Sequence, residues 1–190
     1  MKGRLIIFEG PDACGKTTAS QDLANKLNAA YFHVTCTSLL APAMRDYQMN
    51  VLENVKVNLD QGKHVVLDRL WPSELCYGSH FRGIAEDDIR ELIDAAEALD
   101  PLMVFCLDAE GVEAATERHR QHLDVEHPYS DENFRVIYRN YEKLVQTWDH
   151  RFKSKAMLRL FDKTMSPENA CNQCANAISQ VLFSDPHLTK

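Results

Sequence analysis

A chain of 190 residues is about the length of a single domain, so one core and one site are expected rather than two. With 45 % hydrophobic and 26 % charged residues it has the composition of a folded globular protein, which excludes a disordered chain. The formal net charge of −7 excludes a broad basic face of the kind that holds a polyanion; nucleic acid is not an expected partner, and any phosphate site has to be local.

In chain order, Met1-Lys2-Gly3-Arg4 leads into the apolar run Leu5–Phe8, which Glu9 and Gly10 close at once. The run is too short for a secretion signal or a membrane span, and no later stretch reaches roughly 18 consecutive apolar residues. A cytoplasmic protein without membrane attachment is the expectation. Directly after the run, Gly10-Pro11-Asp12-Ala13-Cys14-Gly15-Lys16-Thr17 fits G-x-x-x-x-G-K-[ST]. Glycines at both ends let the backbone turn tightly and point N–H groups at phosphate oxygens. A helix starting near Lys16 presents its positive end to the same anion. Lys16 would reach the β- and γ-phosphates of ATP, Thr17 would ligate Mg2+, and Thr18 would add a phosphate contact. The expected nucleotide-binding set is therefore Gly10, Asp12, Ala13, Cys14, Gly15, Lys16, Thr17 and Thr18.

The first helix is expected over Lys16–Asn28 with Leu23, Ala24 and Leu27 inward, then a strand around Tyr31–Thr35 and a helix over Ala43–Gln61 closed by Gly62. The next strand, His64–Leu67, runs into Asp68-Arg69. A carboxylate at a strand's carboxyl end can hold Mg2+ or its waters, and the planar fork of a guanidinium suits a phosphate. A helix around Asp87–Leu99 stops at Asp100-Pro101, where proline disfavours helix in the residue before it. The strand Leu102–Leu107 follows, then helices over Glu110–Gln121 and Asp131–Arg151, the strand Met157–Phe161 and a last helix over Ser166–Leu182. Strands alternating with helices at this spacing read as α/β with a parallel sheet. The six cysteines lack the density of a disulfide scaffold, and Cys171-x-x-Cys174 has no second pair beside it, so reduced thiols are expected.

Glu117-Arg118-His119-Arg120-Gln121-His122 is a basic cluster between two helical patterns, and it marks a lid at about 118–130. An arginine that stabilises the transition state of phosphoryl transfer is worth about 10³–10⁵ in rate. Arg118 is the first candidate and Arg120 the second.

Phe8-Glu9-Gly10-Pro11-Asp12 with Gly15-Lys16-Thr17-Thr18 resembles the opening of thymidylate kinases, F-E-G-x-D-x-x-G-K-T-T. The block from Asp68-Arg69-Leu70-Trp71-Pro72-Ser73 to Tyr77-Gly78 resembles that family's D-R-[YW]-x-x-S-x-x-x-Y. Leu107-Asp108, Glu117-Arg118 and Tyr138-x-x-Tyr141 are similar to its fourth strand, its lid and the helix after it. The resemblance implies a P-loop NTPase fold with a five-stranded parallel sheet flanked by helices and a helical lid. It implies transfer of the γ-phosphoryl group of MgATP to a deoxynucleoside monophosphate, a small-molecule partner, and a homodimer. It places Asp12 and Asp68 near the metal with Thr17, and it gives Arg69 the acceptor phosphate, Ser73 the acceptor pocket and Tyr77 the 2′ position of the sugar. Lys16, Arg69, Arg118 and Asp68 form the expected catalytic set, and Glu9, Asp12, Arg69, Ser73, Tyr77 and Tyr47 the expected acceptor side.

The pattern departs where the base would be read. Tyr47 stands where the resemblance calls for an arginine and Ala43 where it calls for a stacking phenylalanine, although Arg45 or Gln48 would serve after a small shift of register. Glu74 replaces the amide or small polar residue expected after Ser73, and Val125 stands where a second lid arginine often does. A base other than thymine, or a modified one, is the consequence. Two further readings stay open: a kinase acting on a hydroxyl of a deoxynucleoside or modified base, with Glu9 or Asp68 as general base, and a regulatory protein that hydrolyses nucleotide slowly.

Overall fold

The computed structural model describes residues 3–35, 41–121 and 129–162, together with 169, 172–173, 175–178 and 180 in a C-terminal helical stretch. The apolar runs form five strands: β1 (Leu5–Glu9), β2 (Ala30–His33), β3 (Val65–Asp68), β4 (Leu102–Asp108) and β5 (Ala156–Phe161). All pairings are parallel, in the order β2-β3-β1-β4-β5. β1, β3 and β4 are buried along their whole length. That is why they read as unbroken apolar runs rather than as the alternation of a half-exposed strand. Observed ends differ from the expected ones by a residue or two; β3 and β4 each extend by one residue to include the aspartate that ends them.

α1 (Lys16–Leu27) buries Leu23 and Ala24, and Asn28 closes it in the left-handed conformation, its N–H reaching the carbonyls of Ala24 and Asn25. α2 (Ala41–Asp60) begins earlier than expected. The stretch after β3, to which periodicity assigned no element, is helical throughout: α3 (Trp71–Ser73), a π-helical turn (Glu74–Gly78) and α4 (Ser79–Arg82). A 3₁₀ turn, Glu86–Ile89, precedes α5 (Arg90–Glu97), so the helix expected from Asp87 begins as a tighter coil. α6 (Val112–Gln121) covers the first residues of the expected lid, of which 122–128, Val125 among them, lie outside the described residues. α7 (Asp131–Arg151) has its expected bounds, with Ser130 accepting a hydrogen bond from the Asn133 N–H at its start. The expected entry to the final helix at Ser166-Pro167 also lies outside the described residues.

Helices pack on the sheet around an aromatic cluster in which Trp71 stacks on Trp148 at 5.3 Å, with Phe105 and Phe152 against them. Trp71 is the first residue of the helical run that carries the acceptor-side residues, so the largest buried side chains also fix where that run starts.

β1 lies between β3 and β4, the strands at which the chain reverses its direction of travel across the sheet. In an open α/β sheet a ligand crevice lies beyond the strand carboxyl ends at such a point. Phe8 pairs with Asp68 and Glu9 with Phe105, which brings Glu9, Asp68 and Asp108 to the same edge.

Candidate active site

The phosphate loop leaves β1 through Gly10, whose φ of 142° suits glycine; a Cβ there would stand 2.2 Å from the Cys106 carbonyl oxygen. Ala13 (φ 59°) and Gly15 (φ 71°) complete the turn into α1. Gly15 is the N-cap and no side chain caps the helix, so the first amides of α1 face an anion site rather than a cap. Lys16 is buried, and its Nζ donates to the Pro11 carbonyl at 2.7 Å, which keeps the ammonium inside the loop. Cys14 is buried beneath the loop, and burial pushes its thiol up to about 12, which makes it packing rather than a nucleophile. Thr18 is exposed.

Asp68, at the end of β3, is fully buried. Its Oδ2 accepts from the Thr17 hydroxyl at 2.6 Å, from His33 Nδ1 at 2.9 Å and from Tyr31 at 3.3 Å. Burial pushes the carboxyl up, but the His33 hydrogen bond, the Lys16 charge and the Thr17 hydroxyl outweigh it and bring it down to about 2. Its Oδ1 is buried without a partner. The Thr17 hydroxyl and the ionised Asp68 carboxylate, with its Oδ1 without a partner, are hard oxygen donors that fit Mg2+.

Arg69 follows with φ 74°, a strained conformation for an arginine, and its N–H donates to the Phe8 carbonyl at 2.9 Å. That turn sends the side chain back over the phosphate loop instead of along β3. Its Nη1 donates to the Gly10 carbonyl at 3.0 Å, Ser73 Oγ at 3.1 Å and Tyr141 Oη at 3.3 Å. Its Nη2 pairs with Asp12, and the guanidinium lies 5.1 Å from the centre of the Tyr77 ring. Beneath it, Glu9 Oε1 accepts from the Leu70 N–H at 2.6 Å, and Oε2 from Ser73 and Tyr141 at 2.9 Å each. Burial pushes the Glu9 carboxyl up, against the pull of Arg69 and these hydrogen bonds. Asp12 is held well below the ordinary carboxylate range, because the charges of Arg69 and Lys16 and the hydroxyl of Tyr129 outweigh its burial. The Tyr77 hydroxyl accepts from the Asp12 N–H at 3.0 Å, which ties the aromatic ring to the phosphate loop. The phenol itself stays protonated, since burial and Asp12 push it well above its ordinary range.

Most of the expected residues come together at one end of the sheet in two groups, Thr17 with Asp68 and Glu9, Asp12, Arg69, Ser73 and Tyr77 with one another, with Lys16 held inside the loop beside them. Asp12 sits with Arg69 and Tyr129 rather than with Thr17 and Asp68. Arg118, on α6, pairs with Asp108 at the end of β4. Arg120 is half-exposed and pairs with Glu117 and Asp131. Tyr47 is half-buried; the neighbouring Gln48 is the residue that turns inward, its Nε2 donating to Glu74 Oε1 at 3.1 Å. Arg45 pairs with its neighbour Asp46.

Two site residues carried no signal in one sequence, and a third was read without its role. His33 reaches Asp68 only because β2 pairs with β3 in a register that sets them side by side. Tyr129 donates to Asp12 from 117 residues away. Tyr141 was visible as part of a motif but not as the hydroxyl under Arg69.

A sequence profile of the ATPase family associated with various cellular activities (AAA) matches residues 6–131, from β1 through the phosphate loop to the start of α7. The chain belongs to this P-loop family. Among its relatives, the thymidylate kinase of Bacillus licheniformis is 25 % identical over 96 % of this chain and 98 % of its own. That of Latilactobacillus sakei is 26 % identical over 95 % and 96 %. The YorR protein of Bacillus subtilis, solved with phosphorylated GDP, superposes with a TM-score of 0.68 at 17 % identity, covering 94 % of this chain and 97 % of that one; it shares the fold. The chain is thus an ATP-dependent nucleotide kinase, similar to thymidylate kinases over nearly its whole length. Kinases of this P-loop family use ATP, with Mg2+ as the usual partner. Among the described residues no helix is long and apolar enough to cross a membrane.

Proposed function

We propose that this single P-loop domain transfers the γ-phosphoryl group of MgATP to the 5′-phosphate of a deoxynucleoside monophosphate. The observation that carries the reading is the buried guanidinium of Arg69. It is 7 % exposed, bent back over the phosphate loop and held by four separate groups beside Asp68. A planar cation so firmly placed next to one phosphate site is suited to grip a second phosphate in bidentate fashion and set it in line for transfer. A kinase for a hydroxyl acceptor needs a free general base instead; Glu9 has both oxygens committed to Leu70, Ser73 and Tyr141, and Asp68, brought down to about 2, is a weak base that this reading assigns to Mg2+.

In this reading the loop amides and Lys16 bind the donor's terminal phosphates, and Thr17 with Asp68 holds Mg2+. Bound Mg2+ would neutralise phosphate oxygens that gain charge in the transition state. Asp12 fixes the rotation of Arg69, while Tyr77 and Ser73 wall the acceptor's sugar and phosphate. Arg118 is the lid cation that would leave Asp108 for the transferring group. A panel of deoxynucleoside monophosphates, nucleosides and no acceptor, read as ADP formed with Mg2+ present, tests it. Turnover should need a monophosphate; a response to nucleosides alone would move the acceptor to a hydroxyl, and full turnover without acceptor would leave only an ATPase.

A further inference from the structure

Gln48 is fully buried on the inner face of α2 and Glu74 is 1 % exposed in the π-turn. Glu74 has no proton to give when ionised, so the contact between them fixes the amide: Nε2 must face Glu74 Oε1, at 3.1 Å, and Oε1 must face away. The other oxygen of Glu74 pairs with Arg82, so the carboxylate cannot turn to offer a different partner. Gly78 leaves room for that ion pair, since a Cβ there would stand 2.8 Å from Glu74 Oε2 and 3.0 Å from Arg82 Nη2. At the end of this chain of constraints lies Gln48 Oε1, buried and without a hydrogen-bond partner. Buried polar atoms in a packed fold are rarely left so, and this one calls for a partner that the fold itself does not supply, a ligand group or a water.

Its position says what. Glu74 directly follows Ser73, which bonds Arg69, and comes one helical turn before Tyr77, which lies under the same guanidinium. The π-turn that carries Glu74 is a feature concentrated at functional sites, because it turns side chains inward that a regular helix would place elsewhere. We propose that Gln48 reads the base of the acceptor, its Oε1 accepting from an exocyclic amino group, with Glu74 as the positioning residue that fixes the amide. This rests on the monophosphate-kinase reading and deepens it. A fixed oxygen acceptor favours the amino group of cytosine or adenine and meets the keto oxygen of uracil or thymine lone pair to lone pair. Specificity of this kind comes as much from the mismatch as from the bond.

The minimal pair is dCMP and dUMP, which differ at this edge by an amino group for a keto oxygen; dAMP and dTMP widen the comparison. The wild-type chain should prefer dCMP over dUMP in kcat/KM by ~10-fold or more. Gln48→Met should lower that ratio by a similar factor, and Glu74→Gln, which lets the amide turn, should lower it in part. A folding defect lowers both rates together and leaves the ratio alone, so the ratio decides. Equal or better use of dUMP or dTMP by the wild type overturns the inference. So does an unchanged ratio in Gln48→Met, which would mean that Oε1 holds a bound water only. Failure of every monophosphate would instead overturn the proposed function, and the two outcomes are read from the same plate.

Discussion

On the phosphate side the structure is local. Phe8 to Thr18 supplies the phosphate loop in a single stretch, and Asp68 and Arg69, adjacent in sequence, supply the groups proposed for the metal and the acceptor phosphate from the neighbouring strand. On the base side, Gln48 comes from α2, Glu74 from a π-turn and Arg82 from the helix after it, and their contacts close across elements. The first side hangs on strand ends buried in a five-stranded sheet, and its backbone is strained at Ala13 and Arg69 to aim particular groups. The second is set by which way a helix face turns. A phosphate needs the same cradle whatever nucleoside bears it, so its machinery can be rigid and generic, while the base reader is free to differ.

Several substitutions sharpen that contrast. The largest effect belongs to Lys16→Ala, which should cut kcat by ~10³ or more with every acceptor, because a preorganised cation is lost where charge develops. Retention of more than a few per cent of activity in a coupled ADP assay would contradict the loop's role. Arg69→Lys should lower kcat/KM for the acceptor by ~10²: a point charge cannot reproduce a fork held by Gly10, Ser73, Tyr141 and Asp12. The KM for ATP should move much less, and equal changes in both would place the arginine on the donor instead.

Asp68 gives a prediction in stability. Its carboxyl titrates near 2 in the folded protein against an ordinary value of 3.8, so its contribution is present above about pH 4 and is lost as the pH falls towards 2. The loss amounts to about 2 kcal/mol for a shift of this size. Asp68→Asn should therefore flatten the acid limb of denaturant-unfolding stability, and an unchanged slope would show that Asp68 is not held ionised. Glu9, whose pKa is raised, contributes with the opposite sign and is left intact in both proteins. The smallest effect expected is that of Tyr77→Ala, which opens the sugar wall and should raise the use of ribonucleotides relative to deoxyribonucleotides by ~10-fold. An unchanged sugar preference would return Tyr77 to a purely packing role.

The same contrast explains what could be read from the chain alone. The phosphate loop was legible because its glycines, lysine and threonine are neighbours in sequence and each is required by a backbone turn or a charge. The three central strands were legible because burial on both faces leaves unbroken apolar runs, while the edge strands β2 and β5, partly exposed, were read from their β-branched and aromatic or apolar residues between helical stretches. Gln48 was only one of two alternatives to Tyr47, since helical periodicity places a face to within one position and cannot say which residue meets a carboxylate 26 positions later. The π-turn deepens the difficulty, as its extra residue per turn breaks the 3.6-residue pattern on which such readings depend. His33 and Tyr129 stayed hidden for the plainest reason: their partners are set by strand register and by the approach to α7, neither of which leaves a mark in composition or spacing.

In the proposed reaction Arg69 holds the phosphate that receives the γ-phosphoryl group. The most direct measurement follows ³¹P resonances while ATP, Mg2+ and a deoxynucleoside monophosphate are turned over by the wild type and by Arg69→Lys. The wild type should give one deoxynucleoside diphosphate for each ADP, with a diphosphate signal that falls in Arg69→Lys to a far greater extent than any slow hydrolysis of ATP. ADP appearing with inorganic phosphate and no diphosphate, or a diphosphate yield that Arg69→Lys leaves unchanged, would contradict it.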